Sequence, residues 1–332
     1  MKKPKILVLG SFVMDLIVST EKFPNSGETV LGKNFQTATG GKGANQAVQM
    51  AKLGADVTMV GRVGDDAFGR ELISSVKEAG INTFYIKTDK ENPSSIGNVL
   101  LEVAEGQKTK NRIIVVPGAN MAIKPEDVAF LKDTIGEYDM VVLQLEIPMG
   151  VNEIVAKYAH DKGVPVLLNP APAAPLSDEL LSCLTYIAPN EHEAAQLTGV
   201  TIHKENNEAN MDDLKAANDV LQAKGVENVI ITLGSSGAII GDKNGINFSP
   251  CVDIVEVKDP TAAGDSFVGA FTTAVCVGLN HKQALDFANY TATLTVSRMG
   301  AQPSLPVLDE VIKLMEQNKF TALDFSRLEI LK

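Results

Sequence analysis

Short apolar runs at 6–9, 57–60, 140–143, 164–168 and 229–232 constrain this 332-residue chain more than any other feature. Runs of four or five residues rich in Val, Ile and Leu, each stopping near Gly, Asn, Asp or Gln, predict strands buried on both faces, as in a parallel sheet. The longer stretches between them repeat apolar residues at helical spacing. They predict helices over 44–53, 68–79, 151–161, 212–224, 266–277 and 282–299. This alternation defines an α/β fold with a mostly parallel central sheet and helices on both faces. A hydrophobic content of 45% and a charged content of 21% suit one large core.

Two regions, roughly 12–39 and 93–117, break that rhythm. In the first, Asp15-Leu-Ile-Val and Glu28-Thr-Val-Leu flank the turn residues Phe23-Pro24-Asn25-Ser26-Gly27; in the second, strands at 97–103 and 112–116 flank a polar turn around Gly106. Both read as hairpins of a small separate sheet. Such a sheet is either an edge insertion or a lid that excludes water from a reaction. The chain is therefore expected to be a single domain spanning 1–332 with a two-part lid. The tail at 318–332 has no assignment.

A net charge of −11 argues against nucleic acid or an anionic membrane as the main partner. Cys183, Cys251 and Cys276 are far apart with no CxxC pair, so neither a zinc site nor a disulfide framework is expected. Buried thiols in a reducing compartment are the simpler reading. The N-terminus is basic and then apolar, but Gly10 and Asp15 interrupt it and no small-residue cleavage site follows. No stretch approaches the roughly 18 apolar residues of a membrane helix. A cytoplasmic protein is expected.

Two glycine-containing stretches stand at predicted helix starts. Gly40-Gly41-Lys42-Gly43-Ala44-Asn45-Gln46-Ala47 offers close backbone approach and unpaired amides, yet it is neither a Walker A loop nor a dinucleotide fingerprint. It is equally readable as a turn into a helix. Asp259-Pro260-Thr261-Ala262-Ala263-Gly264-Asp265-Ser266-Phe267 places small residues and a carboxylate at a second helix start, an arrangement suited to activating an alcohol beside a transferring phosphoryl group. Asp265 as a helix cap is the alternative. Polar residues directly after strands form a weaker third set: Gln144-Leu145-Glu146, Leu168-Asn169-Pro170, Pro189-Asn190-Glu191-His192-Glu193 and Thr232 to Gly237. In an open α/β sheet, ligands bind at these carboxyl ends. His160, His192, His203 and His281 have no matching nucleophile and are expected at the surface.

Taken together, these stretches resemble the ribokinase-like sugar kinase family of the phosphofructokinase-B type over nearly the whole chain. Gly40 to Asn45 followed by Gly54 and Gly64 resembles its first signature, and 259–272 its second. The resemblance implies an ATP-dependent phosphotransferase acting on the terminal hydroxyl of a pentose. It implies Asp265 as catalytic base, with the backbone of Ala262, Ala263 and Gly264 as anion hole. Sugar contacts are implied for Val13, Met14, Asp15, Gly41, Lys42, Gly43, Asn45 and Glu146. ATP contacts are implied for Asn190, Glu193, Thr232, Gly234, Ser235, Gly237, Gly264 and Asn289, with Mg²⁺ organised by the Asn190–Glu193 pair through water. A K⁺ loop is implied at Asp259, Thr261, Thr295, Arg298, Gly300 and Ser304, mostly through backbone carbonyls. A homodimer through the lid sheets is implied as well.

One departure stands out. The family usually carries asparagine where this chain has Val13, and its members acting on 2-deoxyribose are apolar there. D-ribose is the expected substrate and 2-deoxyribose, or another carbohydrate or nucleoside, the alternative. A catalytically silent sugar-binding protein is the contrasting class, and the intact Thr261 to Asp265 weighs against it.

Overall fold

The computed structural model describes residues 2–103, 110–205 and 208–332. Its strands, in chain order, are β1 (Lys5–Leu9), β2 (Val13–Thr20), β3 (Gly32–Gly40), β4 (Asp56–Gly64), β5 (Asn82–Asp89), β6 (Ile96–Glu102), β7 (Lys110–Val116), β8 (Met140–Gln144), β9 (Val166–Asn169), β10 (Tyr186–Ile187), β11 (Lys204–Glu205), β12 (Glu208–Ala209), β13 (Asn228–Thr232), β14 (Ala238–Asp242) and β15 (Gly245–Ser249). The helices are α1 (Lys42–Lys52), α2 (Ala67–Glu78), α3 (Pro125–Val128), α4 (Leu131–Thr134), α5 (Met149–Asp161), α6 (Asp178–Ser182), α7 (Glu191–Thr198), α8 (Met211–Ala223), α9 (Ala263–Cys276), α10 (His281–Val296) and α11 (Leu308–Gln317).

All five apolar runs lie in one nine-stranded sheet ordered β15-β14-β13-β10-β9-β8-β1-β4-β5. It is parallel from β13 to β5, with the β14 and β15 edge antiparallel. Side chains on a strand alternate between faces, and here both faces are covered. Ile6 and Val8 of β1 pack with Met50, Phe271 and Leu285, under α1, α2, α9, α10 and α11. Leu7 and Leu9 point the other way, among Val155, Leu180 and Leu214 of α5, α6 and α8. Each of these fully buried side chains contributes roughly 1.5–3 kcal/mol, which fixes the strand ends that carry the site.

Lid strands form a second sheet, ordered β3-β2-β6-β7. Within it, β2 pairs with β6 in parallel, placing Asp15 opposite Gly97, and with β3 antiparallel, placing Val13 opposite Gly40. The expected strand at 28–31 is instead irregular backbone that follows a turn at Ser26–Gly27. Glu28 folds back to accept hydrogen bonds from the backbone and side-chain amides of Asn25, each at 3.0 Å, and the strand begins at Gly32. The turn around Gly106 lies outside the described residues. Phe12, at the entry to the lid, is buried and clamped by Asn120, whose Oδ1 accepts its N–H at 3.0 Å and whose Nδ2 donates to its carbonyl at 2.8 Å.

The tail packs onto the core. Leu323, Leu328 and Leu331 are buried, and a Cβ on Gly54 would lie 2.1 Å from the Leu331 carbonyl oxygen. His281 is not at the surface: it is half-buried, with Nδ1 2.9 Å from Asp242 Oδ2 and Nε2 3.2 Å from the Tyr186 hydroxyl. The three cysteines are half-buried free thiols.

Candidate active site

Two helix starts meet at the carboxyl ends of the strands. At the first, α1 begins two residues earlier than its apolar periodicity suggests because Gly41 caps it with φ 96°, and a Cβ there would lie 2.8 Å from the Val13 backbone nitrogen. Gly43 is as crowded, 2.5 Å from the Ser11 nitrogen. Glycine lets the helix end press against β2. At the second, α9 starts at Ala263, capped by Ala262 at φ 61°. A left-handed alanine costs about 1–2 kcal/mol, and strain of this kind is stored where backbone amides must be aimed.

Asp265 lies in the first turn of α9, 8% exposed. Its Oδ2 accepts from Asn45 Nδ2 at 2.9 Å and its Oδ1 from Gln46 Nε2 at 3.0 Å. The carboxylate therefore faces the other helix and does not cap its own. First-turn amides lack intrahelical acceptors, so those of Gly264 and Asp265 are free to meet an anion. The Ala263 N–H instead turns to the Pro260 carbonyl at 3.2 Å. Lys42, Asn190, Glu193, Thr232, Gly264 and Asp265 line a common cleft of ≈ 140 Å³.

On the sugar side, Asp15 projects from β2 between two glycines. A Cβ on Gly97 would lie 2.3 Å from its Oδ1, and one on Gly40 3.1 Å from its Oδ2. Burial, and then the charge of Glu146, push the Asp15 carboxyl up to about 6. Glu146 Oε2 accepts from Ser11 Oγ at 2.5 Å and from the Lys42 N–H at 3.0 Å, and Ser11 Oγ accepts the Gly43 N–H at 3.2 Å. Burial would lower the Lys42 ammonium, but the charges of Asp265, Glu146 and Glu193 outweigh it, so the cation is held. Asn45 keeps a buried Oδ1 with no partner among the described residues. Val13 is 7% exposed and offers no hydrogen bond. Met14 points to the opposite face of β2, in the core, so its side chain does not reach this cluster.

The residues expected to meet ATP run along the neighbouring strand ends. Asn190 pairs with Thr232 in an isolated parallel bridge, and a tight turn carries Gly234 and the exposed Ser235 to Gly237. Gly237 has φ 104°, and a Cβ there would lie 2.1 Å from the Ser249 carbonyl oxygen. Asn190 and Glu193 form the capping box of α7: Asn190 Oδ1 accepts the Glu193 N–H at 2.9 Å and Glu193 Oε2 accepts the Asn190 N–H at 2.8 Å. Burial raises the Glu193 carboxyl, which faces Lys42 and Asp265. Asn289 spends its amide on Ser249 and Pro250, at 2.8 to 3.2 Å, holding the end of β15.

For the K⁺ positions, Asp259 ties two segments together, accepting from Thr261 N at 2.9 Å and Gly300 N at 2.8 Å. Burial opposes its ionisation, but these bonds outweigh it and hold the carboxyl below the ordinary range. Thr295 Oγ1 donates to Ser266 Oγ and Ser304 Oγ to the Ala301 carbonyl, each at 2.7 Å, while Arg298 pairs with Glu310 at 2.7 Å. These bonds use the donor protons of the Thr295 and Ser304 hydroxyls and leave their oxygen lone pairs, like the backbone carbonyls of both segments, able to face a cation.

Ser11, Gln46 and Asn120 belong to this machinery without a role foreseen from sequence. Each is a buried polar residue beside a glycine or an apolar run, a pattern that marks an internal hydrogen bond without naming its partner.

The family model for pfkB family carbohydrate kinases matches residues 3–308. Ribokinase of Schizosaccharomyces pombe is 40% identical over 313 residues, covering 92% of this chain and 96% of that protein. Deoxyribokinase of Salmonella typhi is 32% identical, covering 95% and 99%. The structure of Arabidopsis thaliana ribokinase complexed with ribose and ATP superposes with a TM-score of 0.86 at 33% identity, covering 95% of this chain and 99% of that one. The chain belongs to the pfkB family of carbohydrate kinases. It is a phosphotransferase with an alcohol group as acceptor. No helix among the described residues is long and apolar enough to cross a membrane.

Proposed function

We propose that the protein transfers the γ-phosphoryl group of ATP to the 5-hydroxyl of D-ribose, giving ribose 5-phosphate and ADP. The observation that carries this reading is the Asp265 carboxylate, buried where the hydroxyl-binding cluster of Asp15, Asn45 and Glu146 meets the cleft lined by Glu193, Thr232 and Gly264. As the sugar oxygen bonds to phosphorus, its proton passes to Asp265 and the bond from phosphorus to the bridging oxygen of ADP breaks. Lys42 and the free amides at the head of α9 face the charge that develops. Among the described residues no group of three or more His, Cys, Asp or Glu is placed to hold a metal ion. Mg²⁺ keeps several waters and arrives on nucleotide phosphates; the Asn190–Glu193 pair would hold it through water, and it would neutralise phosphate charge there. K⁺ would sit on the carbonyls of the two segments that Asp259 joins, ordering the backbone that feeds α9.

ADP release with ribose, measured for the wild type and Asp265→Asn with and without K⁺, tests the reading. Turnover falls roughly 10²- to 10⁴-fold in the variant while ribose still binds. A wild type that binds ribose without releasing ADP is a silent binder and refutes the proposal.

Val13 supports 2-deoxyribose as a second reading. An apolar side chain 7% exposed leaves a buried sugar hydroxyl unpaired, at about 1–3 kcal/mol. Val13→Asn shifts the ratio of kcat/KM toward ribose; an unchanged ratio removes the argument. We also propose a homodimer through the lid, because its edge strand β7 exposes Ile113, Ile114, Val115 and Val116 and its other edge strand, β3, exposes Phe35, and apolar sheet edges ask for cover.

A further inference from the structure

We infer that Gln46 is a positioning residue for phosphoryl transfer, its side-chain amide fixing which way the Asp265 carboxylate faces; the inference rests on the kinase reading above. Gln46 is fully buried and directly follows Asn45 on α1, so the two side chains leave the helix about 100° apart. They reach different oxygens of Asp265, Asn45 on Oδ2 and Gln46 on Oδ1. Their other contacts separate their roles. Asn45 retains an unpartnered Oδ1. Gln46 is 0% exposed and has no donor to spare for a substrate: its Oε1 accepts from Gln144 Nε2 at 2.8 Å, and its Nε2 donates both to Asp265 at 3.0 Å and to Asn169 Oδ1 at 3.1 Å.

The direction of this chain is set at its far end. Asn169 Nδ2 donates to the Ala188 carbonyl at 2.8 Å, which turns Asn169 Oδ1 toward Gln46. A primary amide has two protons, and Gln46 places one on each acceptor. Were it to turn over, its oxygen would face the carboxylate and Asn169 Oδ1, and its NH₂ group would face the Gln144 amide. In a dry site each such clash leaves a polar group unsatisfied. Gln144 ends β8 and Asn169 ends β9, so the carboxyl ends of two central strands hold the amide that holds the base. With Oδ1 engaged by a group no substrate displaces, the oxygen on the Asn45 side is the one presented to the sugar hydroxyl.

The test uses Gln46→Met, Gln144→Met and the double variant, with ADP release for turnover and calorimetric titration of ribose for binding. Gln46→Met keeps the volume, removes both donors, and lowers kcat roughly 10- to 100-fold while leaving the ribose dissociation constant unchanged. Gln144→Met removes the donor that steadies Gln46 Oε1 while Asp265 and Asn169 still set the direction of the amide, so it loosens Gln46 and lowers the same parameter by less. Added to Gln46→Met it has no further effect, because the chain is already cut. An unimpaired kcat in Gln46→Met, a parallel loss of kcat and ribose affinity, or additive effects overturn the inference. If Gln46→Met does not fold, Gln144→Met decides alone by whether kcat falls at constant ribose affinity. Absence of ribose-dependent ADP release in the wild type defeats the kinase reading; normal wild-type turnover with an unimpaired variant defeats only this inference.

Discussion

Asp15→Asn separates the cost of building the sugar site from its use. Burial, with the charge of Glu146 behind it, raises this carboxyl from its ordinary 3.8 to about 6. The distance between those values corresponds to about 3 kcal/mol; the side chain is only half-buried, and screening by water reduces this to roughly 1.5–2 kcal/mol. For an acid raised on folding, both states are protonated below 3.8 and nothing is lost. Between 3.8 and about 6 the unfolded chain ionises first, so stability falls as pH rises. Above about 6 the full cost is present. Asparagine carries no charge, so the variant is more stable than the wild type at pH 8 by roughly 1.5–2 kcal/mol, and the gain shrinks toward pH 4. The same change removes a charged acceptor worth roughly 1.5–3 kcal/mol to the ligand, so ribose affinity falls about 10- to 100-fold. Urea unfolding at pH 4, 5 and 8, with calorimetric titration of ribose at pH 8, reads both effects. A variant no more stable than the wild type at pH 8, or equally stabilised at every pH, refutes the reasoning.

Gly97→Val drives a Cβ to within 2.3 Å of Asp15 Oδ1; steady-state kinetics show the KM for sugar rising while that for ATP holds, and equal changes in both count against the placement. Truncation after Gln317 removes Leu323, Leu328 and Leu331 from the core, at roughly 1.5–3 kcal/mol each. That rivals a whole domain's stability of about 5–15 kcal/mol, so thermal melts show a large loss, and an unchanged Tm contradicts the packing. Ile114→Glu places a charge in the exposed patch of β7; sedimentation then finds monomer where the wild type is dimeric, and a dimer retained points to another face.

The central sheet was legible because strands apolar on both faces leave unmistakable short runs. β5, β10, β14 and β15 leave no such run: β5 and β15 are edge strands of mixed polarity, β10 is only Tyr186–Ile187, and β14 is a short antiparallel strand broken by Gly241. β3 hid for the opposite reason, since most of its residues face solvent and its sequence, GKNFQTATG, carries no apolar alternation. Helix starts slipped by two or three residues at α1 and α9, where Gly41 and Ala262 take backbone angles that periodicity does not register. Asp15, Asn45, Glu146 and Asp265 are brought together as the motifs suggested. Met14 is turned away by the alternation of β2, and His281 is drawn inward by Asp242 and Tyr186. Gln46 stayed invisible as a partner of Asp265 because the resemblance that marks Asn45 gives Gln46 no contact, and a buried amide on a helix face does not by itself name what it bonds.

The parallel pairing of β2 with β6 has a consequence for the order of assembly. Between these strands the chain must complete β3, α1, β4, α2 and β5, so the loop closed by their pairing carries a large entropy cost until the first βαβ unit has condensed. The lid sheet is thus expected to complete late, once the core it packs on through Met14 is in place. In reverse it opens by itself, at less than the free energy of global unfolding. Lid amides then exchange with solvent sooner than those of β1 and β8, and in mild denaturant grip on the sugar is lost while the core still stands.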